Sequence, residues 1–140
     1  MNAYGCDVLI VEDDQALCEE LIDALGRPGL HVTHANNRAQ ALEWAQSAPP
    51  RVALLDYNLP DCTGIELAEE LRALLPRTAI LLMSGRIESL PQETLRRIDI
   101  RVFINKPLPL RALREAVTQL VREPVARVAN APDWSGGAHS

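Results

Sequence analysis

Aromatic side chains are scarce in this 140-residue chain, at 4%: two tryptophans, two tyrosines and one phenylalanine. A core of ordinary size for one domain therefore has to be aliphatic. No apolar run approaches the roughly 20 residues of a membrane span, so neither a span nor a membrane partner is expected. The opening residues, Met1 to Asp14, carry no basic stretch and turn acidic at once, unlike a secretory leader. Three cysteines (Cys6, Cys18, Cys62) form neither a disulfide framework nor a metal-ligand spacing. They read as reduced thiols in a cytoplasmic protein. Lysine is scarcer still: of 14 basic residues, 13 are arginine and one is lysine, Lys106. Excess positive charge is lacking too, since the net charge is −5, which argues against a general nucleic-acid binder. The charge is uneven. Residues 1–89 hold 6 basic and 14 acidic side chains, residues 90–140 hold 8 and 5.

Short apolar runs recur at Val8–Val11, Val32–Ala35, Val52–Leu55, Ala79–Met83 and Val102–Ile104, each bounded by polar or turn residues. Such runs are what strands buried on both faces look like. Between them lie helical periods: Leu17, Leu21, Ile22 and Leu25; Ala39–Ala48, with Leu42 and Ala45 inward; Ile65, Leu67, Ala68, Leu71, Leu74 and Leu75. A polar stretch at Leu90–Ile98 and a stripe of Leu110, Leu113, Val117, Leu120 and Val121 complete the set. Gly26-Arg-Pro-Gly29 and Pro49-Pro50 stop the first two helices, and Thr63-Gly-Ile-Glu66 has the form of a capping box before the third. Five strand–helix units, (βα)5, predict an α/β fold. It is a flavodoxin-like, doubly wound parallel sheet of five strands in the order 2-1-3-4-5, with helices on both faces.

In such a sheet the crevice lies beyond the carboxyl ends of strands one and three. Strand one ends in Val11 and runs into Glu12-Asp13-Asp14; strand three ends at Asp56. Acids at a helix start are also what the helix dipole alone would select. Their meeting with Asp56 at the switch point is what marks a site. Carboxylates that close repel, and a hard divalent cation such as Mg²⁺ removes the conflict. Strand four ends in Ser84-Gly85 and strand five in Asn105-Lys106-Pro107. A serine there is otherwise an ordinary loop start. The lone lysine, in a chain that uses arginine elsewhere, suggests a compact point charge, which a cis Lys106–Pro107 bond would aim inward.

Four strand ends thus offer an acidic cluster, an aspartate, a hydroxyl and an ammonium. With these residues the chain resembles, over about residues 6–122, the receiver domain of bacterial two-component response regulators. Val-Glu-Asp-Asp is similar to the family's acidic cluster, Leu-Leu-Asp56-Tyr-Asn-Leu-Pro to its phospho-acceptor strand and loop, and Ser84-Gly85 and Lys106-Pro107 to its hydroxyl and lysine motifs. The resemblance implies a switch, not a turnover enzyme. Asp56 accepts a phosphoryl group from a histidine kinase or phosphotransfer protein. Asp13, Asp56, Glu12 and the Asn58 carbonyl provide for Mg²⁺, with Asp14 a weaker candidate. Lys106 and Ser84 take the phosphoryl oxygens, and Phe103 turns as the aromatic switch, although it also reads as a plain core residue. Asn58 and Arg86 tune the phosphoryl lifetime. The face of helix four, strand five and helix five, with Arg96, Arg97, Arg101, Arg111 and Arg114 nearby, then meets a protein partner or a second copy.

Two rivals share parts of this pattern. A phosphatase of the haloacid dehalogenase type would use Asp56 as nucleophile but needs a second Asp where Asn58 stands, and room for a cap. A flavin module would need a phosphate loop after strand one, where three acids would repel it. Cys62 near the site reads as an inert thiol, and His31, His34 and His139 fit no ligand set. The receiver unit is expected over residues 1–123. Residues 124–140, rich in Ala, Pro, Gly and Ser, are expected to be a flexible tail or linker stump, with docking through Val125, Val128 and Trp134 as the alternative. No effector domain is legible after residue 123, which suits either a stand-alone regulator or part of a longer one.

Overall fold

Each apolar run becomes a strand in the computed structural model, which describes residues 4–85 and 92–123. The elements alternate: β1 (Cys6–Val11), α1 (Gln15–Gly26), β2 (Val32–Ala35), α2 (Arg38–Ser47), β3 (Pro50–Asp56), α3 (Gly64–Leu74), β4 (Ala79–Ser84), α4 (Gln92–Ile98), β5 (Ile100–Asn105) and α5 (Leu110–Val121). The strands form one sheet in the order β2-β1-β3-β4-β5, and every neighbouring pair is parallel.

Successive side chains of a strand point to opposite faces, and both faces here are covered. Leu9, Val11, Ala53, Leu55, Ile80 and Leu82 pack with Ala41 and Ala45 of α2, Leu67 and Leu71 of α3, and Leu95 and Ile98 of α4. Val8, Ile10, Val52, Leu54, Leu81 and Met83 pack with Leu21 and Leu25 of α1 and Leu113, Val117 and Leu120 of α5. Two cores of aliphatic residues therefore sandwich the sheet, which is why the strands read as unbroken apolar runs.

The structure trims several expectations. The helical stripes are narrower than their periodicity, since Ile22 and Leu74 are exposed at 39% and 47%. On α2 Ala45 is buried as expected, but the residue buried with it is Ala41, while Leu42 is half-buried. An alanine face lets this helix lie close to the sheet. Strand β3 is longer than its apolar run: it begins at Pro50, whose carbonyl accepts a hydrogen bond from the Thr78 hydroxyl at 2.8 Å, and it ends on Asp56 itself. Thr63 and Glu66 form the expected capping box of α3. Helix α4 is described from Gln92, so its expected start at Leu90 and the tail from residue 124 lie outside the described residues. Among the described residues no helix is long and apolar enough to cross a membrane.

One residue that periodicity leaves on a polar face turns out to hold a corner together. The Arg72 guanidinium, at the end of α3, donates to the carbonyls of Ile98 (2.9 Å), Leu75 (3.3 Å), Pro76 (3.0 Å), Thr78 (2.8 Å) and Asp99 (3.2 Å). It joins the α3–β4 turn to the α4–β5 turn, where Asp99 has a φ of 63°. Burial pulls the guanidinium's pKa below its ordinary value, yet five acceptors keep it in place. Arg72→Ala is expected to lower unfolding stability by about 2–3 kcal/mol, since a charged donor is lost and several carbonyls are left unpaired. Urea unfolding checks this. An unshifted midpoint would mean that water replaces the clamp at no cost.

Candidate functional site at the carboxyl ends of the strands

From β1 the chain crosses to β2 on one side and then returns to β3 on the other. This opens the crevice between the carboxyl ends of β1 and β3, where helices leave in opposite directions. Glu12 follows β1 and is 1% exposed; Asp56 closes β3 and is 3% exposed. Asp13 is exposed beside them. One carboxylate oxygen from each of Glu12, Asp13 and Asp56 lies within 4.8 Å of the others. Two buried acids this close conflict unless something compensates them.

The compensation within the chain comes from the lone lysine. The Lys106 ammonium stands 3.0 Å from Asp56 Oδ1 and 3.4 Å from Glu12 Oε1. The other Glu12 oxygen accepts the Asp14 amide at 3.0 Å. Burial pushes the Glu12 carboxyl above its ordinary pKa, against the pull of the Asp14 amide, and the nearby Asp56 charge adds to the rise. Burial also works against the Lys106 ammonium, but hydrogen bonding and charge from Asp56 and Glu12 outweigh it and hold its pKa above the usual value. The lysine therefore remains a cation. The Lys106–Pro107 bond is cis, as the sequence reading anticipated.

The remaining residues sort themselves by the sheet's alternation. Asp56 continues the parity of Val52 and Leu54, on the α1/α5 side. Ser84 continues the parity of Ile80 and Leu82, on the other side, and is 2% exposed. Its carbonyl accepts the Lys106 amide at 3.1 Å. Phe103 pairs in register with Leu82 and packs, half-buried, against the α2/α3/α4 core, so it shares a face with Ser84 one step away. Asn58 lies in the loop after Asp56 and bridges to Thr63. Gly64 seals that loop: its amide donates to the Tyr57 carbonyl at 2.7 Å, and a Cβ there would stand 2.6 Å from the Asp56 carbonyl oxygen.

Asp14 is resolved in favour of the helix cap, since its Oδ1 accepts the Leu17 amide at 3.2 Å. Arg86 lies outside the described residues. Cys62 is half-buried, and burial raises its thiol pKa, followed by the charges of Asp61 and Glu66. Two residues that carried no signal in the sequence stand close to Glu12. His34 Nε2 is 3.3 Å from the Glu12 carbonyl, and Cys18 is buried with a thiol pKa pushed up to about 11 by burial, Glu12 and Glu19. Strand pairing of β1 with β2 could have suggested the first; nothing in the spacing suggests the second.

The donor set is carboxylate oxygen, and the sulfur nearby is buried and protonated. A hard cation such as Mg²⁺ fits Glu12, Asp13 and Asp56 in its chemistry, and soft metals do not.

A family model described as "Response regulator receiver domain" matches residues 8–118. Over 116 residues the chain is 33% identical to the response regulator receiver protein CpdR of Brucella abortus (strain 2308), which covers 81% of this chain and 95% of that protein. It is 30% identical over 115 residues to the transcriptional regulatory protein CreB of Escherichia coli (strain K12), covering 82% of this chain and 50% of that one. Among solved structures, a CheY-like response regulator receiver domain protein from Methanospirillum hungatei JF-1 superposes with a TM-score of 0.74 at 26% identity. That match covers 83% of this chain and 93% of the other. The chain thus spans nearly all of the first relative and half of the second.

Proposed function

This chain belongs to the response regulator receiver domain family, the phosphorylation-activated switches of two-component signalling, and on that premise we propose that Asp56 is its phospho-acceptor. The observation that carries this reading is the Lys106 ammonium held between buried Asp56 and Glu12 at the switch point of the sheet.

The donor in this reading is the phosphohistidine of a histidine kinase or phosphotransfer protein in the cytoplasm. An Asp56 carboxylate oxygen attacks phosphorus, the P–N bond breaks, and the imidazole leaves with a proton. There is little covalent work for the protein in such a transfer; it aligns groups and neutralises oxygen charge. Glu12, Asp13, Asp56 and the Asn58 carbonyl would hold Mg²⁺, which when bound offsets charge on the phosphoryl oxygens. Lys106 stands within reach of the Asp56 oxygens and turns its hydrogen bond from carboxylate to phosphoryl oxygen. Ser84 donates its hydroxyl from the opposite face of the sheet and shifts toward the new oxygens. Phe103, one register step away on that face, follows into the space left behind. The face of α4, β5 and α5 then presents a changed surface to a protein partner or a second copy.

The test is intact-mass measurement after exposure to acetyl phosphate. One phosphoryl group per chain is expected, dependent on Mg²⁺ and labile in base as an acyl phosphate should be. Uptake that ignores Mg²⁺, or a base-stable adduct, would contradict the reading. Sustained release of phosphate over many turnovers would favour a phosphatase instead.

Lifetime is a separate property of the same site. Asn58 sits two residues beyond Asp56, in the loop that Thr63 closes, and Arg86 two beyond Ser84. Changing either to alanine should alter the dephosphorylation rate while leaving Mg²⁺ affinity nearly unchanged. If both variants lose phosphate at the wild-type rate, water access is set elsewhere.

A further inference from the structure

The loop that carries Asn58 is closed at its base. Asn58 bridges to Thr63, the Leu59 amide donates to the Cys62 carbonyl at 3.2 Å, and Gly64 locks against Tyr57. Its tip is Pro60-Asp61. Asp61 Oδ1 accepts the backbone amide of Arg38 at 2.9 Å, across 23 residues of sequence. Arg38 is the first residue of α2, so this amide is one of the donors that a helix start leaves without an internal partner. The helix has no acid in its own first turn, and Asp61 supplies a carboxylate at its positive end. The Arg38 guanidinium makes two hydrogen bonds to Glu70 of α3. One residue of α2 is therefore gripped twice, by the loop tip and by the helix that the loop leads into.

We propose that Asp61 is a positioning residue of the phosphoryl site: by accepting the Arg38 amide beside the Asn37 cap of α2 it holds the Asp56–Thr63 loop, and with it Asn58, whose carbonyl the proposed function assigns to the metal. The inference rests on the reading of Asp56 and Asn58 given above. A tip tethered at 2.9 Å has less freedom to swing, so in this proposal the loop backbone enters metal binding nearer its final place, and part of the ordering cost is met in folding.

The test uses Mg²⁺ titration by calorimetry without any donor, alongside the initial rate of labelling by acetyl phosphate. Asp61→Ala is expected to weaken Mg²⁺ binding about fivefold, the usual scale of a lost cap. Asp61→Asn keeps an acceptor oxygen and should stay close to wild type. Arg38→Pro removes the donor from the other side. Proline suits the first helical position, and Asn37 before it is already extended, with φ −157° and ψ 177°. Arg38→Pro, which also loses the Glu70 bonds, should weaken Mg²⁺ binding at least as much as Asp61→Ala, the two together should be no weaker than Arg38→Pro alone, and Arg38→Ala, which keeps the amide, should be milder than Arg38→Pro. If Asp61→Ala lowers stability but leaves Mg²⁺ affinity unchanged, Asp61 is only a helix cap and the proposal fails. If Asp61→Asn falls as far as Asp61→Ala, the effect is charge and not position, and the proposal fails again. Wild-type protein that takes no phosphoryl group overturns the reading of Asp56 and this inference together; wild type that takes it overturns neither, and the variants then decide.

Discussion

Lys106→Arg is expected to fold and to bind Mg²⁺, yet to lose most of the link between phosphorylation and the Phe103 face. The ammonium fits between two acids, 3.0 Å from Asp56 and 3.4 Å from Glu12, with its side chain 31% exposed. A guanidinium is larger, planar and presents a fork, so it does not reproduce the single point at which one compact donor meets both carboxylates. The loss falls on the phosphorylated state, because only there does the cation meet the added charge of the phosphoryl group. Coupling requires a cation that favours one state over the other. Typical couplings amount to about 1–3 kcal/mol, so an ill-placed cation removes an effect of about 5- to 150-fold in partner affinity. NMR shifts at Phe103, or partner binding, measured with and without phosphoryl donor, report it. A wild-type response in Lys106→Arg would make the lone lysine an accident of composition.

Gly64→Ala is expected to be the most disruptive single methyl group in the molecule's site region. The new Cβ would stand 2.6 Å from the Asp56 carbonyl oxygen and 2.9 Å from both Tyr57 Cα and Leu82 Cδ1. Two of those three atoms are backbone, so no side-chain rotation relieves the clash. Either α3 backs away from β3 or the end of β3 moves, and Asp56 moves with it. Overpacking of this kind costs about 3 kcal/mol. Urea unfolding should show that loss, and the folded fraction should label more slowly with acetyl phosphate. An unchanged midpoint would mean that α3 has slack the contacts do not reveal.

What could be read before folding, and what could not, follows from the range of the interactions. Val8–Val11 and Val52–Leu55 announced buried strands because two helical layers cover the sheet, and the apolar signal is local. The meeting of Glu12, Asp56, Ser84 and Lys106 at one edge followed from strand order alone, since each closes or follows a strand. Asp14 looked like its neighbours because cap and ligand are chemically the same group; only the 3.2 Å bond to Leu17 separates them. Ile22 and Leu74 were misplaced because periodicity gives a stripe's direction and not its width. The Arg72 bonds to Ile98 and Asp99 and the Asp61–Arg38 bond left no trace, because each joins residues 23 or more positions apart through backbone atoms that every residue possesses.

The central claim is that the phosphoryl group sits on Asp56, and chemical trapping tests it most directly. An acyl phosphate is reduced by borohydride, which converts the aspartate that carried it to homoserine. Wild-type protein labelled by acetyl phosphate with Mg²⁺, reduced and then mapped by peptide mass, should carry homoserine at position 56, and Asp56→Asn should carry none anywhere. Homoserine at position 12, 13 or another carboxylate, or labelling of Asp56→Asn equal to wild type, would contradict the account.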